Sequence, residues 1–169
     1  RVAIVTGAGN GLGRSHALGL AARGAKVVVN DLGSQLSVAE SVVEEIRAAG
    51  GEAIANGANV TQPGEVEAMV QAAKDKWGRV DILVNNAGIL RDKSFSKMSL
   101  DDFRLVLDVH LMGAAICSKA VWDLMKEQQY GRIVMTSSSS GIYGNFGQSN
   151  YGAAKMGVAG IMNTLCLEG

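Results

Sequence analysis

Residues 2–13 read VAIVTGAGNGLG, a β-branched run that passes directly into a glycine-rich turn. The glycines stand at alternate positions from Gly7 to Gly13, and an apolar helical pattern follows them as far as Gly24. Backbone without Cβ atoms approaches a pyrophosphate closely, and the N–H groups at a helix N-terminus attract an anion. The stretch therefore predicts a strand, a tight turn and a helix that bind a dinucleotide, although a tight turn alone would explain the same glycines.

Strand patterns alternate with helical patterns along the rest of the chain. The strand runs are 2–6, 26–31, 52–60, 80–85 and 132–137, and the later helical patterns cover 36–49, 63–77, 100–128 and 149–167. Parallel neighbours need crossover connections, so this alternation favours a parallel sheet covered by helices on both faces. The predicted fold class is a doubly wound α/β fold, with residues 1–169 as one domain.

Composition excludes several classes of function. Sixteen basic residues balance sixteen acidic ones, so no positive field attracts nucleic acid or an anionic membrane surface. The longest apolar runs fall short of the roughly 20 residues that a membrane span needs. Cys117 and Cys166 are isolated from each other and from any histidine at ligand spacing. We therefore expect no nucleic acid, no membrane, no disulfide and no metal site, and a reducing location.

Asp31 closes the second strand run, about 20 residues beyond the glycine turn. A carboxylate there can accept hydrogen bonds from an adenosine ribose and would repel a 2′-phosphate. NAD is therefore favoured over NADP. A solvated aspartate at the strand end would explain Asp31 equally simply, and Arg14 leaves room for a phosphate.

Tyr151 and Lys155 stand four residues apart in the last helical pattern, so they share one face of that helix. Tyrosine is a poor general base at neutral pH, but an ammonium within about 4 to 6 Å stabilises its phenolate form. Such a pair also occurs by chance on many helix surfaces. Its meaning depends on the rest of the chain.

Three motifs, in order, resemble the short-chain dehydrogenase/reductase family. Residues 6–13 match its T-G-x-x-x-G-x-G turn, residues 85–88 its N-N-A-G motif, and residues 151–155 its Y-x-x-x-K motif. The resemblance covers essentially the whole chain. It implies a Rossmann fold and an oxidoreductase that transfers a hydride between NAD(P) and an alcohol or ketone.

The resemblance also implies roles for individual residues. Tyr151 would be the general acid or base, Lys155 would hold the nicotinamide ribose, and Ser138, 13 residues before Tyr151, would bind the substrate oxygen. A shift of one position within the serine run 137–140 stays open. The positions implied in cofactor binding are Gly7, Asn10, Gly11, Leu12, Gly13, Asp31, Asn59, Val60, Asn85, Asn86, Ala87 and Gly88, together with Tyr151 and Lys155.

His110 stands where many members of the family carry asparagine, in a helix whose backbone holds a water of the proton relay. Packing alone would explain the histidine. Alternatively, an imidazole that titrates near neutrality joins the proton path, which makes His110 a candidate catalytic residue. His16 on the first helix has no evident partner and is expected to be structural.

His110 and the segments 88–92 and 140–148 resemble the branch of the family that oxidises (3R)-3-hydroxyacyl-CoA thioesters to 3-ketoacyl thioesters with NAD. Two alternatives stay open. One is an NADPH-dependent 3-ketoacyl reductase acting on acyl-carrier-protein or CoA thioesters, which we would expect to carry a basic residue near Asp31. The other is a non-catalytic dinucleotide-binding scaffold, against which the intact Ser138, Tyr151 and Lys155 argue.

The resemblance also sets expectations for the whole protein. Members of the family continue past the position of Gly169 with at least one more strand and a substrate loop, so we expect an incomplete C-terminus. The related branch has a longer glycine-rich loop after Gly33, which suggests a gap at 33–34. A homodimer or homotetramer packed through 100–128 and 149–167 is implied. The expected location is cytoplasmic, or peroxisomal in a eukaryote.

Overall fold

Five parallel strands form one sheet at the centre of the computed structural model, which describes residues 1–169. The strands are β1 (Val2–Val5), β2 (Lys26–Asn30), β3 (Ala53–Asn56), β4 (Ile82–Asn85) and β5 (Arg132–Met135). Their spatial order is β3-β2-β1-β4-β5. Every residue of the central strand β1 is buried, as a strand covered on both faces requires. The predicted doubly wound α/β class is confirmed.

Helices cover both faces of the sheet. They are α1 (Gly11–Ala21), α2 (Leu36–Ala48), α3 (Pro63–Trp77), α4 (Leu100–Leu107), α5 (Gly113–Glu127), α6 (Ser139–Tyr143) and α7 (Ser149–Glu168). Because strand side chains alternate, Val2 and Ile4 pack with α3 and α5 in one core, while Ala3 and Val5 pack with α1 and α2 in a second core.

The third strand is shorter than the predicted run 52–60. Asn56 Oδ1 accepts a hydrogen bond from the Ala58 N–H at 2.9 Å, and Asn59 Oδ1 accepts one from the Thr61 N–H at 3.1 Å. Asparagine side chains that bond the backbone two residues on form turns, so the strand ends at Asn56. The first helix likewise ends at Ala21, before the predicted limit at Gly24.

Within the helical pattern 100–128, α4 continues into α5 through a π-helical turn, Asp108–Met112. By length and composition alone, Leu100–Glu127 could cross a membrane, which corrects our expectation that no segment is long and apolar enough. One such helix is weak evidence for a span, because core helices pass the same test. In this fold α5 packs on β4 and α3, with Cys117 and Val121 buried.

The sheet has its topological switch point between β1 and β4. From β1 the chain crosses to β2 and then β3 on one side, whereas β4 and β5 lie on the other side. At such a point the loops that leave neighbouring strands diverge and open a crevice at the carboxyl edge of the sheet. The glycine turn and the segment 85–88 both lie at this edge, which places them in position to form one site.

Candidate active site

The glycine turn is packed tightly against the loop that follows β4. The Thr6 hydroxyl oxygen accepts hydrogen bonds from the N–H groups of Asn86 and Ala87, at 3.1 and 3.0 Å. The Asn86 amide in turn donates to the carbonyl oxygens of Thr6 and Gly7. A Cβ on Gly7 would lie 2.8 Å from Ala87 Cα, and one on Gly13 would lie 2.1 Å from the Gly7 oxygen. These glycines therefore permit the close approach of two motifs.

The N-terminus of α1 meets the requirements of a phosphate site. Gly11 adopts a left-handed φ of +53°, and a Cβ at this position would meet nothing within 4 Å. Asn10 has extended backbone and caps the helix without a side-chain hydrogen bond, while Leu12 is exposed. Gly11 and Leu12, at the start of the helix, are exposed, so a pyrophosphate can approach this N-terminus. The residues present suit a dinucleotide cofactor.

Asp31 is fixed beside the glycine turn. One carboxylate oxygen accepts a hydrogen bond from the Gly9 N–H at 2.9 Å, and the other accepts one from the Leu32 N–H at 2.9 Å. Each oxygen keeps a lone pair for a further donor. The Arg14 guanidinium is paired with Glu45 on α2. Asp31 can therefore accept a hydrogen bond from a ribose. Arg14, the basic residue considered above as a partner for a phosphate, is engaged in an ion pair.

Three further positions expected to bind cofactor are engaged within the protein. Asn59 Oδ1 accepts hydrogen bonds from the N–H and the hydroxyl of Thr61, and Val60 is buried. The Asn85 amide nitrogen donates to the Ser118 hydroxyl at 3.1 Å. Cofactor contacts of these residues stay predictions.

Tyr151 and Lys155 lie together, one turn apart on α7. The Lys155 ammonium nitrogen is 5.5 Å from the centroid of the Tyr151 ring. It donates a 2.6 Å hydrogen bond to the Thr136 carbonyl oxygen at the end of β5. Lys155 is only 4% exposed and takes part in no ion pair. Burial lowers its pKa to about 8, so an uncompensated positive charge stands beside the phenol at neutral pH.

The serines after β5 differ in how their hydroxyl protons are used. The Ser137 hydroxyl donates to the Lys155 carbonyl oxygen at 3.1 Å, and the Ser140 hydroxyl donates to Gln148 Oε1 at 2.8 Å. Ser138 caps α6, where its oxygen accepts a hydrogen bond from the Ser140 N–H. The Ser138 proton is thus free to be donated elsewhere, which favours Ser138 over its neighbours for the substrate oxygen.

His110 lies in the π-helical turn and packs edge-on against Tyr151, with ring centroids 5.1 Å apart. Its Nε2 accepts a hydrogen bond from the Ile89 N–H at 3.0 Å and lies 2.8 Å from the Ile89 carbonyl oxygen. Burial, aided by the charge on Lys155, lowers the pKa of His110, against a smaller opposing effect of the bond to Ile89. His16 is exposed on α1.

Three further residues hold this site together: Thr136 and Asn150, which were not predicted, and Thr6, which was predicted only as the first residue of the glycine motif. Thr6 and Thr136 follow β1 and β5, and their position at the carboxyl edge of the sheet was the available signal. Asn150 is fully buried; its side-chain oxygen accepts from the Tyr151 N–H and its amide donates to the Arg91 carbonyl oxygen. Its only signal was a polar residue directly before the tyrosine.

Comparison with known proteins agrees with this geometry, and a family model for short chain dehydrogenases matches residues 1–169. The chain belongs to the short-chain dehydrogenase/reductase family. Over 100% of its length, the chain is 58% identical to the peroxisomal multifunctional enzyme type 2 of Drosophila melanogaster. It covers 29% of that enzyme. Over 99% of its length it is 49% identical to the 3-oxoacyl-[acyl-carrier-protein] reductase of a Synechocystis strain, of which it covers 68%.

The chain also resembles solved structures. The crystal structure of a short chain dehydrogenase from Mycobacterium avium matches with a TM-score of 0.89 and 45% identity. The match covers 95% of this chain and 60% of that one. The chain thus spans about 60% of this relative and less than a third of the multifunctional enzyme. The predictions of family and fold class are confirmed.

Proposed function

We propose that this chain carries the active site of an NAD-dependent enzyme that interconverts a (3R)-3-hydroxyacyl thioester and its 3-ketoacyl form. The observation that carries the proposal is the buried, unpaired ammonium of Lys155 beside the Tyr151 ring, at the sheet edge that also holds the glycine turn. The Synechocystis relative is named 3-oxoacyl-[acyl-carrier-protein] reductase, which supports 3-ketoacyl groups as the substrate class.

Each residue of the site has a distinct role in the proposed reaction. A nicotinamide coenzyme supplies the hydride chemistry when bound at the glycine turn and Asp31. In oxidation, the Tyr151 phenolate takes the proton of the substrate hydroxyl, and in reduction the phenol returns it. The Lys155 ammonium stabilises the phenolate. The Ser138 hydroxyl keeps its proton and donates a hydrogen bond to the substrate oxygen, where negative charge develops.

Replacement of the phenol tests the catalytic assignment. In the full-length protein we expect Tyr151→Phe to lower kcat/KM for NAD-linked oxidation of (3R)-3-hydroxyacyl-CoA by about 10²- to 10⁴-fold, the usual contribution of an acid-base group. Tyr143→Phe is the matched control, because Tyr143 is 85% exposed and makes no bond in the site. Unchanged turnover in Tyr151→Phe would refute the assignment and favour the scaffold alternative.

Asp31 supports NAD as the coenzyme over NADP. Its carboxylate is held toward the turn, and no free basic side chain stands beside it, since Arg14 is paired with Glu45. We expect the enzyme to prefer NADH to NADPH. Asp31→Ser should lower kcat/KM with NADH about tenfold, through loss of a charge-assisted hydrogen bond, and raise it with NADPH. Asp101→Ser, at a fully solvated position on α4, serves as control.

A preference of the wild-type protein for NADPH would remove Asp31 from this role. It would favour the second candidate, an NADPH-dependent 3-ketoacyl reductase, whose direction and substrate class are shared with the Synechocystis relative by name. A panel of CoA and acyl-carrier-protein thioesters with both nucleotides separates the two candidates. Oxidation of (3S) but not (3R) alcohols would contradict the proposed stereochemistry.

We also propose an assembly and a location for the full-length protein. Leu105, Met156 and Met162 expose apolar surface on α4 and α7, which supports a homodimer or homotetramer packed through these helices. Sedimentation of the full-length protein should show an oligomer that Met156→Glu dissociates, and a monomeric wild-type protein would contradict it. A peroxisomal location in a eukaryote, or a cytoplasmic one otherwise, stays a prediction.

A further inference from the structure

A buried asparagine ends β2, directly before Asp31. Asn30 is 1% exposed, and its register partner on β3 is Asn56. The Asn30 amide nitrogen donates to the Ala58 carbonyl oxygen at 2.9 Å and to Asn56 Oδ1 at 3.1 Å. A side-chain amide carries two N–H donors. Both donors of this buried side chain therefore serve the turn that follows β3.

The turn after β3 is held from both ends by these bonds. Asn56 Oδ1 also accepts a hydrogen bond from the Ala58 N–H at 2.9 Å, so a single oxygen joins the turn to Asn30. Asn59 and Val60, the expected adenine contacts, follow directly along the chain. The segment that carries them is therefore anchored to β2 through the Asn30 amide.

The main chain around the same residue holds the opposite wall of the crevice. The Asn30 carbonyl oxygen accepts a hydrogen bond from the Ala8 N–H at 2.7 Å, next to the bond from the Gly9 N–H to the Asp31 carboxylate. The Asp31 N–H donates to the Asn56 carbonyl oxygen at 3.0 Å. The end of β2 thus joins the glycine turn to the turn after β3, with the carboxylate expected to bind the ribose between them.

We propose that Asn30 is a positioning residue for the adenosine half of the coenzyme: its amide fixes the segment 59–60 relative to the Asp31 carboxylate. It acts through these residues and not through a contact of its own. Groups that are already in place when a ligand arrives lose less binding free energy in ordering. This role rests on the coenzyme site of the proposed function, but not on its substrate or on the chemistry of Tyr151.

The direction of the hydrogen bonds determines which side chains can replace each asparagine. Both partners of the Asn30 amide nitrogen are oxygen atoms, so position 30 requires a donor, and an aspartate there would face two acceptors. The Asn56 side chain only accepts, so an aspartate at position 56 keeps both of its bonds. Asn30→Asp and Asn56→Asp are therefore opposite tests of one contact.

Binding of ADP-ribose measures this role without turnover. The probe contains the adenosine and the pyrophosphate of the coenzyme but no nicotinamide. By calorimetry on the full-length protein, we expect Asn30→Ala to raise the Kd for ADP-ribose about tenfold, the effect of one or two lost hydrogen bonds, and Asn30→Asp to raise it further. Asn56→Asp should keep the Kd within about threefold of wild type. The Kd for NADH should change by the same factors.

A matched variant separates positioning from a general loss of stability. The Gln128 side chain accepts from the Val80 N–H at 3.1 Å and donates to the Val80 carbonyl oxygen at 2.7 Å, at the opposite edge of the sheet. Gln128→Ala should lower the urea midpoint as Asn30→Ala does and leave the Kd for ADP-ribose unchanged. Hydrogen exchange at the Ala58 amide should become faster in Asn30→Ala only.

Several outcomes would overturn this role. They are an unchanged Kd for ADP-ribose in both Asn30 variants, an equal rise in Gln128→Ala, and a rise for NADH that ADP-ribose does not share. If the Asn30 variants failed to fold, Asn56→Ala and Asn56→Asp would decide, because only the first removes the acceptor. An equal Kd in these two variants would then refute the role of the contact.

Failure of the proposed function has a different signature. If the wild-type protein bound neither ADP-ribose nor NADH, the coenzyme site and the role of Asn30 would both be wrong. If Tyr151→Phe retained turnover while ADP-ribose affinity fell in the Asn30 variants, the proposed chemistry would fail and the role of Asn30 would stand.

Discussion

The two edges of the sheet each bury a charge, and the protein treats the two charges differently. At the amino edge, Asp81 precedes β4 with a side chain that is 0% exposed. It receives three hydrogen-bond contacts from the Arg79 guanidinium, at 2.6 to 3.0 Å, and one from the Val2 N–H at 2.8 Å. At the carboxyl edge, Lys155 is almost as deeply buried and has one carbonyl partner, Thr136.

The consequences for ionisation follow from this difference in compensation. Burial by itself would raise the pKa of Asp81, but the bonds from Arg79 and Val2 outweigh it and hold the pKa below its ordinary value. Burial lowers the pKa of Lys155 to about 8, with no partner to oppose it. A compensated buried charge contributes to stability, whereas an uncompensated one weakens the fold and is available for chemistry.

Removing the uncompensated charge should have the largest effect. We expect Lys155→Met to lower kcat about 10²- to 10⁴-fold, since the phenolate loses its electrostatic support. The same variant should unfold at higher urea, because a pKa lowered from 10.5 to about 8 corresponds to up to about 3 kcal/mol of destabilisation by the charged form. Full activity would show that the Lys155 charge is not needed for the chemistry, and a loss of stability would show that this charge does not weaken the fold.

The stability of the wild-type protein should also rise in mildly alkaline solution. Between pH 8 and 10.5 the unfolded chain binds the Lys155 proton and the folded chain releases it, so the free energy of unfolding increases with pH over this window. Below pH 8 both states are protonated and the full penalty is present. Urea titrations at several pH values, with Lys155→Met as the reference, measure this gain. Parallel curves for the two proteins would contradict it.

On the other edge, Asp81→Asn should lower stability and leave chemistry unchanged. We expect a loss of about 2 kcal/mol, the cost of weakened buried hydrogen bonds, with kcat within about twofold of wild type. The wild-type contribution is present above the ordinary carboxyl value of 3.8 and is lost as pH falls through the lower folded pKa. The difference between variant and wild type should therefore shrink in acid. A large fall in kcat would show that the edges are coupled.

The sequence predicted the carboxyl edge better than the amino edge. Helix periodicity alone places Tyr151 and Lys155 on one face, and the glycine motif predicts a close approach of the backbone. Both predictions depend on residues that are near in sequence. Arg79 is only two residues from Asp81, but Val2, its other hydrogen-bond partner, lies on β1 and meets Asp81 only through the order of strands in the sheet. No local pattern encodes that order, so the burial of Asp81 and its hydrogen bond to Val2 were not predicted.

Within the active site the same rule separates what was predicted from what was not. The contact of His110 with Ile89 joins residues 21 positions apart and depends on a π-helical turn that the apolar pattern of 100–128 does not reveal. The hydrogen bond of Lys155 to Thr136 and the short helix α6 were likewise absent from the predictions. Each of these features depends on tertiary contacts, and the periodicity of the sequence does not predict such contacts.

The smallest expected effect comes from Arg79→Lys, which keeps the positive charge beside Asp81 but removes the planar, two-pronged geometry. The lysine ammonium keeps the charge but has no planar pair of donors to match the two carboxylate oxygens, so we expect a loss of stability smaller than that of Asp81→Asn. Arg104→Lys, in an exposed pair with Asp101, is the control. If Arg79→Lys matched Asp81→Asn, geometry would account for the whole compensation. If Arg79→Lys did not change the free energy of unfolding, the positive charge alone would account for the compensation of Asp81. A single carboxylate placed beside Lys155 should then abolish the rise in stability between pH 8 and 10.5.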